Sequence, residues 1–429
     1  MLKKLKLSKS AKTGTKGTNQ VSPDYIVGLD VGTENVKALI GRVVDDDIEV
    51  VGVGRAHQAL SDMQAGAVSD IAGVFANCDQ ALSQAEQMAG VSARGAVLGI
   101  AGELVKGLTT SVRLSRKDPN KPLDIPEIEK IIGLVQARAL KNAKQELSWE
   151  LGGKDIEIRL VNSALVSVSI DGHPVSSPMG FQGRDVSIQL YAAFAPLVHI
   201  GALEKVASEL GLELLAVAAE PFAVARSVIG NDPNASTSAI LMDIGGGTTD
   251  IAVLNEGGVE GTKMFGIGGR AYTKAIERDL STDFEQAEAL KIALSANKLP
   301  TQKRRLVEQS LEKTLDVWMS GVELALAEFD HLDNLPNKIL LCGGGASLDM
   351  IQSELLQSNW YKNLPFTRKP VVQLISPDEV YGIVDKTGSV DNHTYITALG
   401  LLRVGLDTMG QSSQSKKSIK DRFNSILSI

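Results

Sequence analysis

Asp243-Ile244-Gly245-Gly246-Gly247-Thr248-Thr249-Asp250 joins one apolar run, Ser238–Ile244, to another, Thr249–Leu254. Short runs rich in Val, Ile and Leu and bounded by Gly are strand signals, so the segment predicts a β-hairpin. A third strand, Val259–Phe265, is expected after a turn at Asn255–Gly258. Gly245, Gly246 and Gly247 carry no Cβ and can take positive φ, so backbone N–H groups in the turn are free to approach an anion. Thr248 adds a hydroxyl donor.

The same grammar stands some two hundred residues earlier. Strands are expected at Tyr25–Val31, Val36–Val43 and Ile48–Arg55, with turns at Gly32–Asn35 and Asp45–Asp47, and the first turn reads Asp30-Val31-Gly32-Thr33. Two copies imply an internal repeat, and duplicated domains facing one another are the natural reading. Thr33 and Lys37 would add a hydroxyl and a cation to the first turn. Two such loops can grip one polyphosphate from opposite sides. A carboxylate beside phosphate is repelled unless a cation lies between, so Asp30 and Asp243 are expected to hold a hydrated Mg²⁺ through water. Asp250 either joins them or caps the turn. A third glycine run, Gly343-Gly344-Gly345-Ala346-Ser347, follows the expected strand Lys338–Cys342.

Between and after the copies the pattern alternates strand and helix. Ile71–Met88 carries Ile71, Val74, Phe75, Cys78 and Leu82 at helical spacing, ahead of a strand at Ala96–Ala101. Asp124 and Glu127 frame a capping box before Ile128, Ile131, Ile132 and Val135. Strands are expected at Ile156–Asn162, Leu165–Ile170 and Val186–Phe194, so 106–192 reads as a small α+β insertion. His199–Leu210 reads as a helix ended by Gly211, Leu212–Ala218 as a strand, and Pro221 suits the first turn of the next helix. Glu220 just before it favours the helix dipole. Gly269–Leu280, Asp283–Ala293 and Gln302–Asp330 read as helices.

At 429 residues the chain exceeds a single core, and its 43% apolar and 22% charged residues fit folded domains. Six lysines (Lys3, Lys4, Lys6, Lys9, Lys12, Lys16) precede the first acid, Asp24, so a basic arm leads an acidic body. That balance excludes nucleic acid wrapped on the body. Cys78 and Cys342 lie far apart without metal spacing, which points to a reducing, cytoplasmic compartment. No apolar run is long enough for a spanning helix, and the N-terminus lacks the apolar stretch of a signal peptide.

After a Gly, Gln, Ser and Lys linker the last twelve residues form one apolar arc. With Ile419 at zero, Phe423, Ile426, Leu427 and Ile429 fall at about 40°, 340°, 80° and 280° on a helical wheel, an arc of roughly 160°. Such a helix either docks on the protein's own body or lies in an anionic membrane surface, helped by Lys416, Lys417, Lys420 and Arg422.

These residues resemble the actin-like ATPases, the superfamily of actin, the heat-shock 70 chaperones and sugar kinases. Asp30–Lys37 is similar to the first phosphate loop, Asp243–Asp250 to the second and Gly343–Ser347 to the adenosine loop. Within it the chain most resembles the FtsA family of bacterial cell-division proteins, on Gly28–Gly41, Gly183–Val186, Glu220–Gly269 and the linker with its tail. The resemblance implies an α/β actin-like fold: duplicated ribonuclease H-like domains around a nucleotide cleft, an α+β insertion of the 1C type and a C-terminal amphipathic helix. It implies a disordered arm over 1–22 and subdomains 1A (23–105 and 193–236), 1C (106–192), 2A (237–269 and 337–406) and 2B (270–336). A linker over 407–417 and a membrane helix over 418–429 complete the order.

The resemblance further implies ATP with Mg²⁺, at most weak ATPase activity with Glu220 orienting water, and Gly268, Gly269, Glu288 and Lys291 beside the nucleotide. Implied partners are other copies in a filament, the inner face of the plasma membrane, and the FtsZ C-terminal peptide through 2B. Thr314 stands where the family has Arg, and the basic arm is an addition. A scaffold like PilM of the type IV pilus machinery shares the nucleotide core and is the other reading. A kinase or chaperone would need a sugar site or a peptide-binding domain.

Overall fold

The structure is a computed structural model that describes residues 24–229, 236–357 and 359–412. Its first elements are the expected meander: Tyr25–Val31 (β1), Asn35–Val44 (β2) and Asp47–His57 (β3), paired antiparallel in that order. A small hairpin, Met63–Gln64 (β4) with Ala67–Val68 (β5), leads to the helix Ile71–Ala89 (α1), whose first turn is capped by Asp70. Gly95–Ile100 (β6) then lies parallel to β1.

The insertion follows as Lys106–Ser115 (β7), Ile125–Glu150 (α2), Ile158–Ile170 (β8), His173–Pro174 (β9) and Asp185–Pro196 (β10). α2 buries Ile128, Ile131, Ile132 and Val135 against β8 and β10, as its stripe predicts. Only half of the capping box forms. The Asp124 carboxylate accepts the Glu127 N–H at 3.1 Å, but the Glu127 carboxylate pairs with Arg116 at 2.7 Å instead of turning back. The two strands expected at 156–170 are one, with two irregularities in its pairing to β10.

Leu197–Glu209 (α3), Glu213–Ala219 (β11) and Glu220–Ile229 (α4) complete this half, and β11 pairs parallel to β6. The second copy runs Ala239–Ile244 (β12), Thr249–Asn255 (β13) and Gly258–Phe265 (β14), then the helices Gly269–Leu280 (α5), Phe284–Ser295 (α6) and Thr301–Ala327 (α7). Lys338–Cys342 (β15), Asp349–Gln357 (α8), Val371–Leu374 (β16), Ile383–Asp385 (β17) and Ile396–Ser412 (α9) follow.

The repeat is visible in the order of strands. One sheet reads β11-β6-β1-β2-β3 and the other β16-β15-β12-β13-β14, each an antiparallel meander with two parallel strands beside its first member. The likeness ends at the outer edges. β17 extends the first sheet, parallel to β3, whereas β14 pairs with β7 of the insertion, so that β7, β10, β8 and β9 extend the second sheet.

Two expected boundaries therefore shift. The span 337–406 does not stay with the second half: β17 joins β3, and α9 packs on β1, β6 and α4. α9 also continues to Ser412, through the first six residues of the expected linker. The N-terminal arm, the rest of the linker and the tail residues Ile419, Phe423, Ile426, Leu427 and Ile429 lie outside the described residues. Helices α4 and α9 cross where a Cβ on Gly400 would stand 2.2 Å from the Ala223 carbonyl oxygen. Burial of Leu399, Leu401, Leu402, Ala223 and Val224 in one apolar cluster with both sheets anchors this crossing.

Candidate functional site

The ends of β1 and β12 and the first turns of α4 and α9 converge on a cavity of 590 Å³. Register fixes its chemistry. Asp30 on β1 lies across from Lys37 on β2, and Asp243 on β12 lies across from Asp250 on β13. The sequence spacing of seven in each copy is thus one cross-strand pair, with both side chains on one face. Lys37 Nζ donates to Asp30 Oδ2 at 2.7 Å. Thr248 Oγ1 donates to Asp250 Oδ2 at 3.3 Å, while Asp250 Oδ1 is buried without a hydrogen-bond partner.

The hairpin turns touch. A Cβ on Gly246 would stand 2.8 Å from that of Glu34, and one on Gly247 would stand 2.7 Å from Thr33 Oγ1. These glycines serve close approach, and neither they nor Gly245 use the positive φ open to glycine. Gly343 does require it: its φ is +82°, and a Cβ there would fall 2.1 Å from Asp243 Oδ1. Arg270, at the start of α5, clasps the two turns from behind, with Nε donating to Glu34 Oε2 at 2.7 Å.

Carboxyls dominate the floor. Glu220 opens α4, where the preceding Ala219 N–H donates to Asn162 Oδ1 of β8 at 2.7 Å. Burial, then the charges of Asp30, Asp250 and Asp243, push Glu220 well above the usual carboxylate range. Asp250 is pushed well above as well, by burial and by Asp243. Asp243 is raised by burial, against which the Thr397 hydroxyl bond works. Burial alone would lower Lys37, but the charge and hydrogen bond of Asp30 outweigh it and hold the ammonium above its ordinary value. Burial, then Asp243, likewise raises Cys342 next to the site, and Cys78 is pushed up to about 12 by burial and Asp30. Both thiols are buried and free.

At the other end, Lys291 Nζ lies 2.7 Å from Glu288 Oε2 and donates to Gly269 O at 3.0 Å and Thr273 Oγ1 at 2.8 Å. Asp30, Gly32, Thr33, Lys37, Glu220, Asp243, Gly245, Gly246, Thr248, Asp250, Gly269, Glu288, Lys291, Gly343, Gly344 and Gly345 all line the cavity. Gly247 and Gly268 do not: Gly247 is packed against Thr33 of the first turn, and Gly268 against Gly245 and Thr248 of the second. Sequence reasoning missed Thr397, Thr273 and Arg55. Thr397 bonds Asp243 across 154 positions, and no local pattern announces it.

The residues fit a polyphosphate with a hydrated divalent cation. Four buried carboxyls share one half-buried lysine here, and one carboxylate oxygen stands without a partner. Among the described residues no three carboxylates, imidazoles or thiols come together as direct metal ligands. An ion that keeps its waters suits such an arrangement.

A family model described as cell division protein FtsA matches residues 240–400, which span the second hairpin, the glycine run after β15 and Thr397. Over 406 residues the chain is 29% identical to the cell division protein FtsA of Pseudomonas aeruginosa, covering 90% of each chain. The chain is related to FtsA. FtsA of Bacillus subtilis is 23% identical over 404 residues, 89% of this chain and 83% of that one. A chain of the PilM-PilN type IV pilus biogenesis complex matches with a TM-score of 0.63 at 16% identity, over 89% of this chain and 98% of that one. That likeness shows the fold, an α/β actin-like architecture, and no more. Among the described residues no helix is long and apolar enough to cross a membrane.

Proposed function

We propose that the chain, like the FtsA proteins it resembles, is an actin-like cell-division protein that binds ATP between its hairpins and assembles into filaments at the cytoplasmic face of the membrane. The observation that carries this reading is the meeting of two register-matched hairpins over a buried acidic floor. Backbone N–H groups of both turns with Thr33, Thr248 and Lys37 hold the phosphates. Mg²⁺, bound through its waters by Asp30 and Asp243, supplies the positive charge that the floor lacks. Glu288, Lys291 and Gly343–Gly345 hold the nucleoside end.

Glu220, buried at the first turn of α4, orients water; turnover is slow, and ATP acts as an assembly ligand. The helices of 270–336 receive the FtsZ C-terminal peptide. The C-terminal arc tethers the filament to anionic lipid, each weak contact multiplied by the polymer.

Calorimetric titration with Mg-ATP tests the site: Asp243→Ala and Gly246→Val each abolish binding, and undiminished affinity in either overturns the assignment. Electron microscopy on lipid monolayers with ATP tests the assembly. Filaments are expected; their absence, with ATP bound, would favour a scaffold of the PilM kind. Deleting Ser418–Ile429 is expected to abolish sedimentation with anionic vesicles.

A further inference from the structure

Residues 266–270, between β14 and α5, form a strap behind both turns. On one side the strap is fastened to the second turn and its strand. The Gly269 N–H donates to Gly245 O and the Arg270 N–H to Gly246 O, each at 2.8 Å, and Thr249 Oγ1 donates to Ile267 O at 2.7 Å. A Cβ on Gly268 would stand 2.7 Å from the Gly245 carbonyl oxygen, so the strap lies close against that turn.

On the other side it reaches the first half of the molecule at three places. The Gly266 N–H donates to Glu103 Oε1, beyond the end of β6, at 2.7 Å, and Arg270 Nη1 donates to Met63 O of β4 at 3.4 Å. The third bond, from Arg270 Nε to Glu34 Oε2 at 2.7 Å, is the one that holds the first turn. Its side chains are 11% and 19% exposed, so the pair is enclosed. Glu34 lines the cavity, whereas Arg270 does not.

Enclosing this guanidinium gains little stability by itself. Its Nη2 is buried without a hydrogen-bond partner, and an enclosed ion pair offsets its desolvation only when geometry is good and the remaining donors are satisfied. What the pair fixes is the seating of one turn on the other, where a Cβ on Gly246 would stand 3.2 Å from the Glu34 backbone nitrogen.

We infer that Arg270 is a positioning residue: through Glu34 it holds the first turn against the second, and so sets how fast a bound nucleotide leaves. The inference rests on the reading given above that ATP lies between the hairpins. A polyphosphate gripped by both turns departs only when they part, and parting them breaks the Arg270–Glu34 pair. Nucleotide enters while the turns are apart, before the pair forms. Loss of one partner of an enclosed charge pair is therefore felt in release more than in association.

Stopped-flow release of a preloaded fluorescent ATP analogue with Mg²⁺, chased with ATP, tests this on the full chain. Arg270→Gln is expected to release at least about tenfold faster than the parent, with association within about twofold. Arg270→Lys keeps a charge beside Glu34 and should bring release back to within about threefold of the parent, a rescue that a mere packing role would not give. Release at the parent's rate in Arg270→Gln, or equal acceleration in Arg270→Lys, overturns the inference and leaves the ATP site standing. Where Arg270→Gln does not fold, Glu34→Gln decides. Its amide accepts more weakly than a carboxylate, so release should quicken about two- to fivefold, and an unchanged rate overturns the inference. A parent chain that takes up neither the analogue nor Mg-ATP overturns the ATP reading, and this inference with it.

Discussion

The two hairpins share strand order, turn length and register, yet one pairs Asp30 with Lys37 and the other faces Asp243 with Asp250. The first is an ion pair at 2.7 Å, closed on itself. The second sets two carboxyls across from each other without a cation, and burial drives both upward. Duplication thus supplied the geometry twice, and the chemistry then diverged. One copy carries its own positive charge, and the other waits for one. Carboxyls thus outnumber cations on the cleft floor, which is the physical reason for proposing a metal-bound polyphosphate there.

Lys37→Ala should break the comparison most. It makes the first hairpin as cation-poor as the second and leaves Asp30 buried and unpaired, a loss of about 3–5 kcal/mol where one partner of a buried pair is removed. Nucleotide affinity should fall by at least about a hundredfold in calorimetry, with a lower melting temperature. Gly246→Ala should follow, at about 1–3 kcal/mol of stability, because its methyl would enter the contact with Glu34 and part the turns.

Asp250→Asn sharpens the comparison in the opposite direction. A carboxyl whose value is raised on folding contributes fully at pH below its ordinary 3.8 and loses that contribution as pH rises through the raised value. Asparagine does not titrate, so the variant should be more stable than the parent without nucleotide, by about 1–2 kcal/mol at neutral pH. Melting curves across pH should show the gain growing as pH rises, while Mg-ATP binding weakens. Glu34→Gln should cost least, about 0.5–1 kcal/mol, since the amide can still accept from Arg270 behind the turns.

Much of this was legible locally. A glycine turn between apolar strands marked both hairpins, whereas the pairing of Asp30 with Lys37 and of Asp243 with Asp250 came only with the register. The stripe of α2 and the stop at Gly211, with φ of +70°, follow from local rules too. What stayed hidden depends on partners far along the chain. Ile383 pairs with Ile48, and Gly261 pairs with Leu108, and nothing in either short segment names its neighbour. Thr397 reads as an ordinary residue in an apolar helix until the fold carries it to Asp243. The linker expected over 407–417 begins inside α9, where Asp407 accepts from Arg226 Nη2 at 2.7 Å, a partner far away along the chain.

That extension makes α9 a lever. Its second residue, Thr397, bonds Asp243 in the cleft, and its last described turn reaches Ser412. At 1.5 Å per residue its seventeen residues measure about 25 Å, so a tilt of about 5° at the cleft would swing the far end by roughly 2 Å. The crossing with α4 at Gly400, close to the cleft end, is the fulcrum. Whatever spreads or closes the hairpins is thereby geared to the place from which the rest of the chain departs.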